Sequence, residues 1–251
     1  AKSLPLYRRI REIPGVKHAF VGSGFRHDLF GDRRTDGCLE ELCRHHISGL
    51  MKVAPELTCD GVLEAMGKPR IDVYDPFVDQ FGRIGKNLPA PRYLVNYFIS
   101  AHPGATLRDA LEMGRYLLAR GMHPEQVQDF IPLPLTLSGA MYYTETHPWT
   151  GKRLYVAKTF RERKMQRALV QYRNPSNRQL IREALKLLKA EHLIASFLNG
   201  SSPRRSTRPD QHGLRKPVTT GLGKAADQPS KPLPGRQAFP KRKRKGAARR
   251  Q

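Results

Sequence analysis

Cysteine is scarce in this 251-residue chain, acidic side chains are few, and long apolar runs are missing. Each shortage excludes a class of protein. Only Cys38, Cys43 and Cys59 are present, too few for a disulfide framework in a chain this long, so a reducing, cytoplasmic compartment is expected. Their spacing matches no zinc ribbon or finger, and on a helix Cys38 and Cys43 point in different directions, so buried thiols are expected rather than a metal site. No apolar run reaches the roughly 18 residues that a membrane-spanning helix needs. The first residues, Ala1 to Arg9, lack the apolar core of a secretory signal and also an initiator Met, so the chain is expected to be processed or to begin upstream. Neither a Ser/His/Asp constellation nor a phosphate-cradling loop is present: Gly22-Ser23-Gly24 lacks the rest of both nucleotide fingerprints. His45 and His46 are adjacent and point apart, which argues against a metal pair.

What the chain has in excess is positive charge: 45 Lys and Arg against 22 Asp and Glu, a formal net charge of +23. Residues 201–251 alone hold 15 basic and two acidic residues, so over half of the excess sits in the last fifth of the chain. That segment is rich in Ser, Pro and Gly and poor in large apolar groups, and it is predicted to be a disordered basic tail. Its Lys241-Arg242-Lys243-Arg244-Lys245 cluster suits non-specific nucleic-acid binding by counterion release, without interleaved aromatics to read bases. A basic RNA-binding or ribosome-associated protein, with the tail as anchor, is the alternative reading of the whole chain.

The part before the tail alternates strands and helices. The stretch Tyr93 to Ser100 is apolar and strand-forming, passes through Ser100-Ala101-His102-Pro103-Gly104, and meets a helix at Thr106, with Asp109 placed for a capping box and Gly121 as the stop. Similar strands are predicted at Val16–Gly22, Leu50–Ala54 and Gln126–Ile131, and helices at Cys38–His46, Thr58–Met66, Pro76–Asn87 (capped by Asp75) and Thr106–Arg120. Alternation at this spacing predicts an α/β fold with a parallel sheet, in which ligands gather where strands end. Four strands are few for a closed barrel, so an incomplete or open one is expected. Beyond Pro134, a hairpin or extended excursion is predicted from Met141 to Val156, then helices over Phe160–Tyr172 and Pro175–Leu198.

In this order the blocks resemble the C-terminal part of the YgiQ-type radical SAM proteins. The matching segments are Pro14-Gly15-Val16-Lys17 with Val21 to Arg26, Arg44 to Glu56, Tyr93 to Gly104 and Pro124 to Pro132; the family's extension is matched at Ala140 to Thr144, Arg167-Ala168-Leu169 and Asn174-Pro175. The resemblance covers roughly residues 5–195. It implies the C-terminal part of a partial (β/α)6 radical SAM barrel, strands three to six, over residues 1–135, a small, mostly helical extension over 136–200, and the tail over 201–251. The intact protein would bind a 4Fe-4S cluster and S-adenosylmethionine and act on a substrate that the resemblance does not identify. The family's C-x3-C-x2-C cluster loop has no counterpart here, so neither cofactor is expected to bind tightly to this chain alone, and the isolated chain is expected to be inactive.

The candidate cofactor-binding residues lie at the predicted strand ends. Ser23, Gly24 and Arg26 end the first, where Gly permits close backbone approach and Arg26 suits a carboxylate such as the methionine end of the cofactor. Lys52 and Glu56 flank the end of the second; a charge inside an apolar run needs a polar mouth or water, so Lys52 is expected to form an ion pair or a cofactor contact. By resemblance, Ser100 and His102 approach the nucleoside; Gln128 and Phe130 end the fourth strand, where an apolar ring and nearby backbone suit adenine, with Phe130 as plain core the equal alternative. Asp28, Asp32 and Asp36 read as loop and capping acids.

Overall fold

A computed structural model describes residues 3–200; the predicted tail lies outside the described residues. A three-stranded parallel sheet lies at its centre, in the order β1 (Leu50–Glu56), β2 (Tyr93–Ser100), β3 (Val127–Asp129). Lys52 pairs with Val95 and Val53 with Asn96 across β1 and β2, while Ile99 pairs with Gln128 and Ser100 with Asp129 across β2 and β3. Helices α3 (Asp60–Ala65) and α4 (Ile71–Gly85) join β1 to β2, and α5 (Leu107–Ala119) joins β2 to β3. The α5 start is the predicted one: the Thr106 hydroxyl accepts the Asp109 N–H at 3.2 Å, and the Asp109 carboxylate accepts the Thr106 N–H at 2.8 Å.

Three strands form where four were predicted. Residues 16–22 do not enter the sheet because their backbone is satisfied elsewhere: the Val21 N–H donates to the His46 carbonyl at 2.9 Å, and His46 Nδ1 donates to the Ala19 carbonyl at 2.9 Å. The chain touches the sheet only later, at Phe25, whose N–H donates to the Lys52 carbonyl at 2.8 Å in a single parallel bridge to Val53. Helix α4 begins five residues before the predicted start, and Pro76 sits inside it. The cap comes from a neighbouring element, since Asp60 accepts the Ile71 N–H at 3.2 Å. Asp75, predicted as the cap, instead accepts from the Tyr116 hydroxyl and pairs with Arg120, tying α4 to α5.

The second half is helical: α6 (Leu137–Thr144), α7 (Phe160–Val170), α8 (Arg178–Leu187) and α9 (Ile194–Asn199). The predicted hairpin survives only as a Thr146–Arg153 antiparallel bridge around the His147–Lys152 turn. Its first arm is part of α6, capped by Thr136 and anchored by Met141, which is buried against Ala65, Leu154 and Val156. The predicted helix from Pro175 to Leu198 breaks at Lys189, which adopts a left-handed φ of 54°.

Two apolar cores lie on the helical side. One joins α5, α7, α8 and α9 around Leu117, Leu169, Ile181 and Phe197; the other packs α2 (Asp36–Glu41) and α4 on β1 around Leu39, Met51, Tyr74 and Phe77. Burial alternates along β1, with Met51 and Val53 buried and Lys52 and Ala54 only half-buried. The same parity continues across the sheet: Val95, Tyr97 and Ile99 are half-buried, and Gln128 is exposed. None of these residues belongs to a buried apolar cluster. Among the described residues the sheet thus has one face covered by helices and one without a core, whereas parallel sheets are ordinarily covered on both.

Candidate functional site

The nine candidate residues do not form one cluster: three meet at the ends of β2 and β3, five lie on or beside β1, and Gln128 is exposed on β3. Around the C-terminal ends of β2 and β3, Ser100, His102 and Phe130 come together. The Phe130 N–H donates to the Ser100 carbonyl at 2.9 Å, and the His102 and Phe130 rings meet edge to face with centroids 5.0 Å apart. Ser100 points to the helical layer rather than the open face. Its hydroxyl donates to Asp129 Oδ1 at 2.6 Å, while Asp129 Oδ2 accepts from Arg167 of α7 at 3.0 Å. The serine is therefore the inner member of a relay that locks β2, β3 and α7 together.

His102 is 1% exposed and fully partnered. Nδ1 lies 2.8 Å from the Pro103 carbonyl, which can only accept, so Nδ1 carries the proton. Nε2, 2.8 Å from Ser138 Oγ, then accepts from that hydroxyl. Burial pushes the imidazole down to about 4, opposed only by the hydrogen bond to Pro103, so the ring is neutral at pH 7. Phe130 is buried between His102 and Tyr142, whose ring carries the Lys158 ammonium 4.2 Å from its centroid. The Phe130 carbonyl accepts from Arg163. Arg163 and Arg167, four residues apart on α7, thus both reach the end of β3.

The second group lies at β1. Lys52 projects from the open face, half-buried, with the Gly22 carbonyl 3.5 Å from Nζ as its hydrogen-bonding neighbour. Gly24 passes close to the same strand: a Cβ there would sit 3.7 Å from the Lys52 carbonyl. Ser23 is exposed beside it, and Gln128 is exposed on the far side of the open face. Arg26 turns away to Asp28, which lowers the Asp28 carboxyl by hydrogen bond and charge. Glu56 ends β1 with a left-handed φ of 65° and binds Lys68 at 2.9 Å. Of the three loop acids, Asp32 caps its turn through the Arg34 N–H at 2.9 Å, and Asp36 receives the buried Gln80 amide at 2.6 Å.

Sequence reasoning missed Asp129, Ser138, Tyr142 and Arg163 as site residues, and knew Arg167 only from the matching blocks. Asp129 and the α7 pair carry a recoverable signal, namely the strand register and the i, i+4 spacing. Ser138 carries none, because α6 was read as an extended arm. The cysteines do not fit an iron–sulfur cluster. Burial pushes the Cys43 thiol up to about 12, and among the described residues no three His, Cys, Asp or Glu side chains converge as metal ligands. No helix among the described residues is long and apolar enough to cross a membrane.

Comparison with known proteins agrees with this reading of the chain. The model of a family described as "Domain of unknown function (DUF3362)" matches residues 125–250. A UPF0313 protein of Methanosarcina mazei is 49% identical over 185 residues, 74% of this chain and 29% of that protein. One from Methanocella arvoryzae is 44% identical over 218 residues, covering 86% of this chain and 36% of its own length. A third, from Clostridium botulinum, is 46% identical over 193 residues, 77% of this chain and 30% of that protein. The chain therefore spans about a third of the length of these curated relatives. It carries the DUF3362 domain and belongs to the UPF0313 family, the YgiQ-type radical SAM proteins, of which it represents one part.

Proposed function

We propose that this chain supplies part of the barrel wall and the following extension of a radical SAM enzyme, and that its open sheet face lines the barrel interior. The observation that carries this reading is the asymmetry of the sheet: helices and apolar cores on one face, and Lys52, Tyr97 and Gln128 on the other without a core. A parallel sheet left bare on one side is the geometry of a barrel wall whose remaining strands come from elsewhere. Residues 1–135 form the wall and residues 136–200 the extension that braces its strand ends through Arg163 and Arg167.

A 4Fe-4S cluster and S-adenosylmethionine, where bound in the intact protein, would supply radical abstraction of hydrogen from substrate. The cluster ligands belong, on this reading, to the portion of the family proteins that this chain does not span. The residues here bind and position. Lys52 lies on the proposed interior face with its ammonium 3.5 Å from the Gly22 carbonyl and donors left for a carboxylate, and Gly24 leaves room for backbone approach beside it. Ser100, His102 and Phe130 are already engaged with protein groups, through side chains and backbone alike, so they hold the shape of the strand ends.

The test uses the full-length Methanocella arvoryzae protein after anaerobic cluster reconstitution. Under a low-potential reductant it should convert S-adenosylmethionine to 5′-deoxyadenosine and methionine. Replacing the residue that corresponds to Lys52 with Met should raise the KM for S-adenosylmethionine more than it lowers kcat. A reconstituted protein that produces no 5′-deoxyadenosine would refute the reaction class; an unchanged KM would remove Lys52 from the site.

A further inference from the structure

Residues 130–144 contain no Asp, Glu, Lys or Arg, although charged residues make up 27% of the chain. They lie just past β3, at the strand ends where the candidate residues gather. Ile131, Leu133, Leu135 and Leu137 occur at every second position and are all exposed, Leu135 completely so, and Tyr143 of α6 is 73% exposed beside them. Together with Thr136 and Gly139, Leu133, Leu135, Leu137 and Tyr143 border an apolar groove of about 470 Å³. Pro132 and Pro134 alternate with the apolar residues and remove two backbone donors from one edge of the segment, which disfavours strand pairing along that edge. It is equipped to bind through side chains. Contiguous exposed apolar patches of this kind mark interaction surfaces in soluble proteins.

We propose that this uncharged strip is the docking surface for the portion of the longer UPF0313 polypeptide that this chain does not span. Three observations select that occupant. The curated relatives are about three times as long as their match to this chain, so family proteins carry a large additional body covalently tied to this segment. The strip adjoins the end of β3, a strand of the sheet whose open face has no core among the described residues. The remaining candidate within this chain is chemically mismatched: residues 201–251 hold 15 basic residues and, as large apolar groups, only Leu214, Val218, Leu222, Leu233 and Phe239. The proposal deepens the barrel-wall reading by naming where the rest of the protein seats, and its test separates the two.

Hydroxyl-radical footprinting with peptide mass spectrometry would compare this chain with the full-length Methanocella arvoryzae protein, whose 218-residue match is long enough to include the segment. The expected result is strong oxidation of Leu133, Leu135 and Tyr143 in this chain and a several-fold fall at the corresponding positions of the long protein. Equal oxidation in both would overturn the proposal. Tyr93 and Tyr97 on the open face report independently. Their protection with an unprotected strip leaves the barrel reading standing and sinks the docking surface; the reverse pattern does the opposite. Sedimentation showing that this chain alone dimerises, with the strip protected in the dimer, would assign the surface to a second copy and overturn the proposed occupant.

Discussion

Stability should fall steeply between pH 7 and pH 4.5, and His102 should account for much of the fall. Its ring is buried, its Nδ1–H is committed to the Pro103 carbonyl, and its Nε2 accepts from Ser138. Burial holds the folded-state value near 4, against 6.5 for an ordinary histidine. The unfolded chain therefore binds the proton more readily than the folded one between those values. For a depressed histidine the stabilisation is fully present above about pH 6.5 and is lost as pH falls towards 4. Over pH 7.5 to 4.5 the linkage is on the order of 2–3 kcal/mol, a substantial share of the roughly 5–15 kcal/mol that holds a typical domain together. Burial also lowers His27, His45 and His123, so the wild-type curve alone does not isolate one residue. Urea unfolding at several pH values should be run on the wild type and on His102→Gln, whose amide can still donate and accept. The variant should be less stable at pH 7.5 and should lose distinctly less stability on acidification. Parallel pH profiles in the two proteins would refute the burial argument.

Gly114→Ala should destabilise the chain even though alanine is the better helix former by about 1 kcal/mol. A Cβ at Gly114 of α5 would sit 2.7 Å from the Leu169 carbonyl oxygen of α7 and 2.7 Å from Cε1 of Phe197 in α9, and such overpacking costs about 1–3 kcal/mol. A raised melting temperature would show that the helices part freely. Gln80→Leu should loosen the loop before α2, because the buried amide accepts the Gly31 N–H at 2.7 Å and donates to the Asp32 carbonyl at 2.9 Å. Unpaired groups there should cost about 2 kcal/mol and speed hydrogen exchange over residues 31–36, and unchanged exchange would count against the network. The charge of residues 201–251 predicts binding to heparin or RNA that weakens steeply with salt, without sequence preference, and that is lost on their deletion. Salt-resistant discrimination between RNA sequences would call for a specific reader instead.

Local signals were legible wherever the partner lay within a few residues. The Thr106–Asp109 capping box, the strand from Tyr93 to Ser100, and the starts of α5 and α7 all followed from short-range chemistry. Errors arose where a distant group supplied the decisive contact. Residues 16–22 have the composition of a strand, but His46 takes the carbonyl of Ala19 and offers its own to Val21. Pro76 looked like a first helical residue because the real cap of α4 is Asp60, in another helix. Met141 and its neighbours looked extended until burial against Leu154 and Val156 favoured a helix. The prediction that site residues would collect at strand ends brought Ser100, His102 and Phe130 together, but it said nothing about which way each one faces.

That direction is a matter of parity. Side chains alternate along a strand, so Val53, Asn96 and Ser100 face the helices, and Lys52, Val95 and Ile99 face the open side. Tyr74 of α4 donates to Asn96 at 2.7 Å and Arg167 of α7 reaches the partner of Ser100, so the polar residues of the inner parity are consumed in fastening helices to the sheet. Of the outer parity, Gln128 is exposed, and Lys52 makes one long contact, its ammonium lying 3.5 Å from the Gly22 carbonyl. An ammonium carries three donors, so this contact leaves most of its hydrogen-bonding capacity unused. On the proposed reading, that unused capacity, on the face opposite buried Met51 and Val53, is where the chemistry of the intact protein should be sought.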